Sequence, residues 1–323
     1  MHQITPIINA PQLAKNLGIQ SVYLKLDNLQ PGGSFKIRGL GYCIQNAIKK
    51  NPKLKVLVSS SGGNAGMAST IVANELQLKI VVFVPTTTSN KTINVLKENG
   101  AQVIVHGDAW DETHLKAMEY LESLPAQTGF YVHPFEHEDT WKGHSSLIKE
   151  IKNQIDLPDI IICSVGGGGL LCGILTGLLD LECKNTIVVA VETAGAASFA
   201  AAVKADCIVA LPNITSIAKS LGAKQVSEGT LRLREKYGKH LVRSLVIDDQ
   251  TALNSVIQFA NDYRYLVEPA CASSLAPVLS VNCDLLKSVV PELNSTSRVL
   301  VEVCGGFQVD LDMIESWKQS LQK

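Results

Sequence analysis

The chain of 323 residues lacks an excess of either charge, which narrows the partners it can have. Its 29 Lys and Arg against 30 Asp and Glu give a formal net charge of −1 at pH 7. Surfaces that bind nucleic acid or anionic membranes usually carry a basic excess, so we expect neither partner. No apolar run reaches the ~20 residues that span a bilayer, so we expect no membrane partner of that kind either.

Signal-peptide and metal-binding patterns are missing as well. The first residues, Met1-His2-Gln3-Ile4-Thr5-Pro6, show no basic segment followed by an apolar one, so we expect a cytoplasmic protein. The eight cysteines include no C-x-x-C pair, which favours buried reduced thiols over a zinc site or a disulfide framework. His133 and His137 have helical spacing, but Pro134 between them disfavours a helical metal pair.

Strand-like apolar runs alternate with amphipathic helical segments through most of the chain. The predicted strands are 21–26, 55–59, 79–84, 102–105, 159–164, 186–191, 241–247 and 298–303. A buried strand followed by an amphipathic helix is typical of βαβ units in parallel sheets. The sequence lacks a Gly/Ser-rich or Pro-rich linker and an internal repeat. We therefore predict an α/β fold with two lobes that share the chain non-contiguously.

The segment from Pro31 to Gly39 places Lys36 between Phe35 and Ile37, just after a Pro-Gly-Gly turn. Apolar neighbours favour the neutral form of an amine, and a neutral amine attacks carbonyl groups. The alternative is an ordinary helix start, with Ser34 as its N-cap and Lys36 as one more solvated lysine. Motifs elsewhere in the chain are needed to distinguish these two interpretations of Lys36.

Two glycine-rich turns follow predicted strands, where open α/β sheets usually bind ligands. Gly166-Gly167-Gly168-Gly169-Leu170 opens a helix, so its free backbone amides could surround one phosphate group. It matches neither an ATP-type P-loop nor a dinucleotide motif well. Ser61-Gly62-Gly63-Asn64-Ala65-Gly66 could bind a carboxylate, although a capped strand-to-helix turn is the alternative. A lysine, a phosphate loop, an Asn donor and a carboxylate loop together suit pyridoxal 5′-phosphate (PLP) reacting with an amino acid.

These motifs resemble those of the fold-type II, tryptophan-synthase-β-like PLP-dependent enzymes, and most of all the serine/threonine dehydratase branch. Ser34-Phe35-Lys36-Ile37-Arg38-Gly39, the Ser61–Gly66 loop and Ser164–Leu170 carry the resemblance, which extends to Cys304-Gly305-Gly306. It implies two open, twisted, mostly parallel sheets flanked by helices and a homodimer. It also implies a large PLP-binding domain of residues 1–38 and 134–323 and a small domain of residues 39–133.

The resemblance implies a role for each matched residue. Lys36 would bind the cofactor covalently and later act as the base at the substrate Cα, with Phe35 against one face of the cofactor ring. Asn64 would hydrogen-bond the ring hydroxyl, and Cys304 would face the pyridine nitrogen. The cofactor phosphate would lie on Gly166, Gly167, Gly168, Gly169 and Leu170. The substrate carboxylate would bind Ser61, Gly62, Gly63, Asn64 and Ala65.

A monovalent cation, usually potassium in this branch, is implied by a further set of residues. This set is Gly166, Glu192, Ala196, Leu221 and Ala223. One carboxylate with several backbone carbonyls suits a weakly charged ion better than zinc. The alternative for Glu192 is a surface acid at a strand end. Ser220 stands where close relatives tend to have Ala against the ring face, and Asp27 is assigned no role.

The implied reaction is β-elimination, which converts L-serine to pyruvate and L-threonine to 2-oxobutanoate, each with ammonia. Racemisation needs a second acid/base on the face of Cα opposite the lysine. Serine racemases carry Ser before the Gly-Asn pair, whereas this chain has Gly62, which disfavours racemisation. The chain ends soon after the last predicted strand, which favours a catabolic enzyme without a regulatory domain. A threonine-preferring deaminase, a serine racemase-like enzyme, a β-replacement enzyme and a non-enzymatic PLP-binding protein stay open.

Overall fold

The computed structural model describes residues 1–280 and 284–321. The strands are β1 Ile7–Asn9, β2 Ser21–Lys25, β3 Val56–Ser59, β4 Lys79–Val84, β5 Gln102–Val105, β6 Gly129–Tyr131, β7 Ile160–Ser164, β8 Ile187–Thr193, β9 Val242–Ile247 and β10 Arg298–Glu302. The helices are α1 Pro11–Leu17, α2 Lys36–Lys50, α3 Asn64–Glu75, α4 Asn90–Glu98, α5 Trp110–Ser123, α6 Glu138–His144, α7 Ser146–Gln154, α8 Gly169–Asp180, α9 Ser198–Ala205, α10 Glu228–Tyr237, α11 Asp249–Tyr263, α12 Pro269–Leu279, α13 Asp284–Val289 and α14 Leu311–Leu321.

Six strands form the larger sheet, in the order β1-β2-β10-β7-β8-β9. Only β1 pairs antiparallel with its neighbour, and the other pairs are parallel. Every residue of β7 and β8 is buried, because helices cover both faces of the sheet centre. The largest hydrophobic core of the molecule packs around these strands and includes Leu171, Phe199 and Leu275.

Four parallel strands form the smaller sheet, in the order β5-β4-β3-β6. A separate hydrophobic core, which includes Leu57, Val82 and Leu96, packs against it. The predicted α/β class with two mostly parallel sheets is thus confirmed. All strands of the smaller sheet lie within residues 39–133, although the domain limits themselves stay a prediction.

Several local features differ from the sequence-based expectation. The three-residue strands β1 and β6 were not predicted, because so short a segment carries too little periodicity to be recognised. Helix α2 begins at Lys36 with Phe35 at its N-cap position, so Ser34 does not cap it. One expectation holds: helix α6 begins after His137, so His133 and His137 do not share a helix, as Pro134 between them predicted.

The cysteines in the described part of the chain are free thiols. Five are buried (Cys43, Cys163, Cys172, Cys271 and Cys304), Cys183 is half-buried and Cys207 is exposed. Cys283 lies outside the described residues. Among the described helices, none combines the length and the apolar character needed to cross a membrane.

Candidate active site

A cavity of about 940 Å³ lies where β3, β7 and β10 end in glycine-containing loops. Predicted site residues that line it are Phe35, Lys36, Ser61, Gly63, Asn64, Ala65, Gly166, Gly167, Gly168, Gly169, Leu170, Leu221, Ala223 and Cys304. Three other predicted residues, Gly62, Glu192 and Ala196, are not part of this lining. The carboxyl ends of strands from both sheets therefore supply one site, as expected for open α/β folds.

Lys36 is the first residue of α2, and its ammonium group faces this cavity. Its Nζ donates a hydrogen bond to the Pro134 carbonyl oxygen at 2.6 Å. The Phe35 ring centroid lies 5.2 Å from the same nitrogen. Burial lowers the pKa of Lys36 from 10.5 to about 8, and the Cys304 thiol opposes this shift only in part. The expected desolvation of this amine is confirmed, so a larger fraction of it is neutral and nucleophilic near pH 8.

The loop Gly166–Gly169 leads from β7 into α8, and its shape requires glycine. Gly168 has φ +86°, a left-handed conformation that side chains disfavour. A Cβ at Gly167 would lie 2.3 Å from the Phe135 ring, and one at Gly166 would lie 3.0 Å from Leu221 Cα. None of the described side chains caps α8. The N–H groups of its first turn are therefore available to an anion, which fits the phosphate group of PLP.

The loop Ser61–Gly66 leads from β3 into α3 and forms the opposite wall. The Gly63 N–H donates to Ser61 Oγ at 3.4 Å, which makes the loop tight. A Cβ at Gly66 would lie 1.8 Å from the Ser61 carbonyl oxygen, so this position requires glycine. At Gly62 a Cβ would meet Val84 Cγ1 at 2.9 Å. A side chain at position 62 would therefore be directed against the smaller sheet.

Glu268, at the start of α12, is a buried member of the cavity wall that the sequence analysis missed. The Asn64 Nδ2 donates to its two carboxylate oxygens at 3.3 and 3.2 Å, and the Ser220 hydroxyl also donates to it. The Gln308 backbone N–H donates to Oε1 at 3.3 Å. Burial raises the pKa of Glu268. The only sequence signal was the Glu-Pro pair, which is equally typical of a helix start.

Cys304 follows β10 and lines the cavity with a buried thiol. Contact with the Cys271 thiol and burial raise the pKa of Cys304 well above its usual value. The group therefore stays an uncharged thiol at neutral pH. An uncharged hydrogen-bonding group fits a pyridine nitrogen that is not held in its protonated form.

His133 is a second cavity-lining residue whose place only the structure reveals. Its Nδ1 accepts hydrogen bonds from the backbone N–H groups of Phe135 at 3.2 Å and Glu136 at 2.7 Å. Burial lowers the pKa of His133 to about 4, so the ring is neutral. Two donors on Nδ1 place the ring hydrogen on Nε2.

Arg38, which is buried and is not among the residues that line the cavity, anchors the start of α2. Its guanidinium donates to Asp27 at 2.5 and 2.7 Å and to Glu150 at 2.6 and 2.7 Å. Lys25 donates to Glu150 at 2.9 Å. Asp27, to which the sequence analysis gave no role, is therefore a buried structural partner of Arg38. This network fixes the helix that carries Lys36.

The predicted cation residues are only partly brought together. Gly166 packs against Leu221, and Ala196 and Leu221 share one small apolar cluster. Glu192 is fully buried, which is contrary to the alternative of a surface acid. Its two carboxylate oxygens accept hydrogen bonds from the N–H groups of Phe199 and Ala200, at 2.7 and 2.8 Å in the first turn of α9. Burial raises the pKa of Glu192 to about 8.

Comparison with known proteins agrees with this geometry. The profile of the family "Pyridoxal-phosphate dependent enzyme" matches residues 2–305. The chain is 40% identical over 322 residues to "L-serine dehydratase/L-threonine deaminase" from Homo sapiens, covering 99% of this chain and 96% of that protein. It is 39% identical over 325 residues to "Serine dehydratase-like" from Rattus norvegicus, covering 99% and 95%.

A solved structure gives the same result. The fungal L-serine ammonia-lyase from Rhizomucor miehei superposes with a TM-score of 0.89 at 31% identity, and the match covers 98% of both chains. The resemblance found in the sequence motifs is therefore confirmed, and the amine, the amide-lined loop and the thiol all fit PLP. The chain belongs to the family of pyridoxal-phosphate dependent enzymes.

Proposed function

We propose that this protein is an L-serine and L-threonine ammonia-lyase. It converts L-serine to pyruvate and ammonia, and L-threonine to 2-oxobutanoate and ammonia. One observation carries the proposal: a single cavity joins the buried amine of Lys36 to both glycine loops and to the Cys304 thiol. The names of the relatives at 39 and 40% identity over almost the whole chain support the same activity.

The residues of the site have two functions in this proposal: they bind the cofactor, and Lys36 removes one proton from the substrate. When bound, PLP supplies an electron sink that stabilises negative charge at the substrate Cα. The backbone N–H groups of Gly166–Leu170 hold its phosphate, Phe35 packs on its ring, Asn64 donates to its ring hydroxyl, and Cys304 faces its ring nitrogen. Lys36 takes the proton from the substrate Cα, and the Cβ–O bond then breaks. The departing hydroxide takes up one proton, which balances the proton that Lys36 removed, and leaves as water. Hydrolysis of the released enamine gives the keto acid and ammonia.

The substrate carboxylate lies on the loop Ser61–Ala65 in this proposal. The loop precedes α3, so its backbone N–H groups and the helix dipole favour a negative group there. The Ser61 hydroxyl adds a donor of its own. Binding at this loop keeps the Cα of the substrate close to Lys36 across the cavity.

Elimination is favoured over racemisation by the environment of Gly62. Racemisation needs a second side chain that exchanges a proton with Cα on the face opposite Lys36. Glycine has none, and a larger residue at this position would meet Val84 Cγ1 at 2.9 Å and Thr88 Cγ2 at 3.3 Å. This wall of the cavity therefore supplies no second base at position 62.

We also propose potassium as a bound cation, with Gly166, Glu192, Ala196, Leu221 and Ala223 around it. The contact of Gly166 with Leu221 supports this grouping. The Glu192 carboxylate accepts hydrogen bonds from two N–H groups and still has lone pairs that can bind a cation. A cytoplasmic homodimer with a large domain (residues 1–38 and 134–323) and a small domain (residues 39–133) completes the proposal.

The test is a product assay on the purified protein with PLP. L-Serine, D-serine and L-threonine are each incubated with potassium or with an equal concentration of sodium, and the products are identified. We expect keto acid from L-serine and L-threonine, and faster turnover with potassium. Absence of keto acid from both L-amino acids would refute the lyase, whereas D-serine formed from L-serine would identify a racemase.

Attachment of the cofactor is tested separately. Borohydride reduction of the PLP-loaded protein, followed by peptide mapping, should place the label on Lys36. Label on any other lysine contradicts the assignment. Binding of PLP without turnover of any amino acid would indicate a non-enzymatic member of the family.

A further inference from the structure

Glu268 has a buried carboxyl group in the cavity wall, and it has no role in the proposed reaction. It receives hydrogen bonds from three separate segments: Asn64 at the start of α3, Ser220, and the Gln308 backbone beyond β10. Its neighbour Gly306 leaves it this space, since a Cβ there would lie 2.3 Å from Glu268 Cγ and Cδ. A carboxyl so enclosed is held in one orientation.

The contacts of Asn64 show which of its atoms remain for a ligand. Its Oδ1 accepts the Phe307 N–H at 3.2 Å. Its Nδ2 lies at 3.3 and 3.2 Å from the two Glu268 oxygens, the geometry of one N–H shared between two acceptors. This nitrogen also approaches Ser220 Oγ at 3.5 Å, which is too long for a strong hydrogen bond. One Asn64 N–H is thus left for an acceptor in the cavity.

We propose that Glu268 is a positioning residue, which fixes the side-chain amide of Asn64 so that its second N–H points to the ring hydroxyl of PLP. Without the carboxyl, the described partners left to the amide are the Phe307 N–H and the long contact with Ser220, and the amide could turn its oxygen into the cavity. An oxygen there would face another acceptor and weaken cofactor binding. The inference rests on the proposed contact between Asn64 and the cofactor.

Ser220 has a place in the same arrangement. Its hydroxyl donates to Glu268 Oε2, so this Ser helps to hold the carboxyl in position. Glu268 keeps the Gln308 N–H as a second donor at 3.3 Å when the hydroxyl is removed. Loss of Ser220 should therefore have a smaller effect than loss of Glu268.

A double-mutant cycle on PLP affinity tests the inference. The dissociation constant of PLP is measured by equilibrium dialysis for the wild type, Asn64→Ala, Glu268→Ala and the double variant. Asn64→Ala and Glu268→Ala should each weaken binding about tenfold, and Ser220→Ala about threefold. In the Asn64→Ala background, Glu268→Ala should add less than about twofold, because it acts through Asn64.

Two further variants separate positioning from other effects. Glu268→Gln keeps an oxygen acceptor for Asn64 and should restore binding to within about threefold of the wild type. Glu136→Ala removes another carboxylate of the cavity wall, which accepts the Glu228 N–H and has no described hydrogen bond with Asn64, and should change binding by less than about twofold. If Glu268→Ala fails to fold by circular dichroism, Glu268→Met, which keeps the volume, replaces it in the cycle.

Equal losses from Glu268→Ala in both backgrounds, or no loss in the wild-type background, would overturn the inference. No loss from Asn64→Ala would overturn it as well, because the amide would then not contact the cofactor. The product assay remains independent of these outcomes. A protein that shows the coupling but forms no keto acid supports the positioning role and refutes the lyase.

Discussion

Two cationic side chains of α2, Lys36 and Arg38, stand two residues apart in opposite environments. Lys36 lines the cavity. Among the described residues its Nζ donates to one acceptor, the Pro134 carbonyl, and burial lowers its pKa to about 8. Arg38 does not line the cavity, and its guanidinium donates two hydrogen bonds to each of two carboxylates, Asp27 and Glu150. These partners outweigh burial and raise the pKa of Arg38.

The difference between their partners shows how the start of one helix can carry both a reactive amine and a stabilising ion pair. A reactive amine has to be buried without a carboxylate partner, because an ion pair would keep it protonated. A structural cation has to be buried with such partners, because an unpaired buried charge is costly. The ion pairs of Arg38 anchor the helix, so the buried amine of Lys36 can remain without a carboxylate partner.

Lys36→Ala should have the largest effect, on the activity that depends on the cavity side of α2. Loss of the base and of the attachment point should lower the rate of keto acid formation by about 10⁴-fold. Urea unfolding should show a loss of at most about 1.5 kcal/mol, because the described partner that the substitution leaves without its donor is the uncharged Pro134 carbonyl. Retention of more than about 1% of the activity would contradict the assigned role of Lys36.

Arg38→Ala removes the ion pairs of Arg38 with Asp27 and Glu150. Asp27 and Glu150 would become buried charges without their main partner, so the free energy of unfolding should fall by about 3–5 kcal/mol. Urea denaturation at pH 7 measures this change. Lys91→Ala, which breaks an exposed pair with Asp310, is the control and should cost less than about 1 kcal/mol. A loss for Arg38→Ala as small as the control's would show that the network does not anchor the fold.

The third prediction concerns Glu302, a buried carboxyl near Asp27, Arg38 and Lys25. Both of its carboxylate oxygens are buried, and neither has a hydrogen-bond partner among the described residues. Burial and the nearby Asp27 raise the pKa of Glu302. Glu302→Leu should therefore increase the free energy of unfolding by about 2 kcal/mol at pH 8, measured by urea denaturation.

The pH dependence of that gain has a definite sign. Below the ordinary Glu pKa of 4.5, both the folded and the unfolded chain keep the Glu302 proton. Above it, the unfolded chain ionises first, so the wild type loses stability as pH rises. The gain from Glu302→Leu should thus be smaller at pH 5 than at pH 8. A gain that is independent of pH would indicate that Glu302 ionises normally in the folded state.

The smallest effect concerns the rate at which PLP loads onto Lys36. Only the neutral amine attacks the aldehyde, and the pKa of Lys36 is about 8. The loading rate, followed by cofactor absorbance after mixing, should rise about tenfold per pH unit below this pKa and level off above it. A rise that continues to pH 10 would mean that the cavity does not lower the pKa of Lys36.

Features with a local chemical signature could be predicted from the sequence. The glycines of the Gly166–Gly169 loop follow a buried strand and open a helix, so their conformation and their free amides are properties of a short segment. The apolar neighbours of Lys36 likewise predicted its lowered pKa. Strands β1 and β6 could not be predicted, because their pairing with β2 and β3, and not their own three residues, makes them strands.

The sequence by itself determined the α/β class, the family and the segments that build the site, because periodicity, glycine loops and a flanked lysine act over a few residues. Tertiary structure alone decided which charges meet. Glu268 reaches Asn64 across 204 positions, and Glu150 reaches Arg38 across 112. Pairing and desolvation depend on distances in space, which chain order does not specify, so only the fold separated the underpaired Lys36 from the fully paired Arg38.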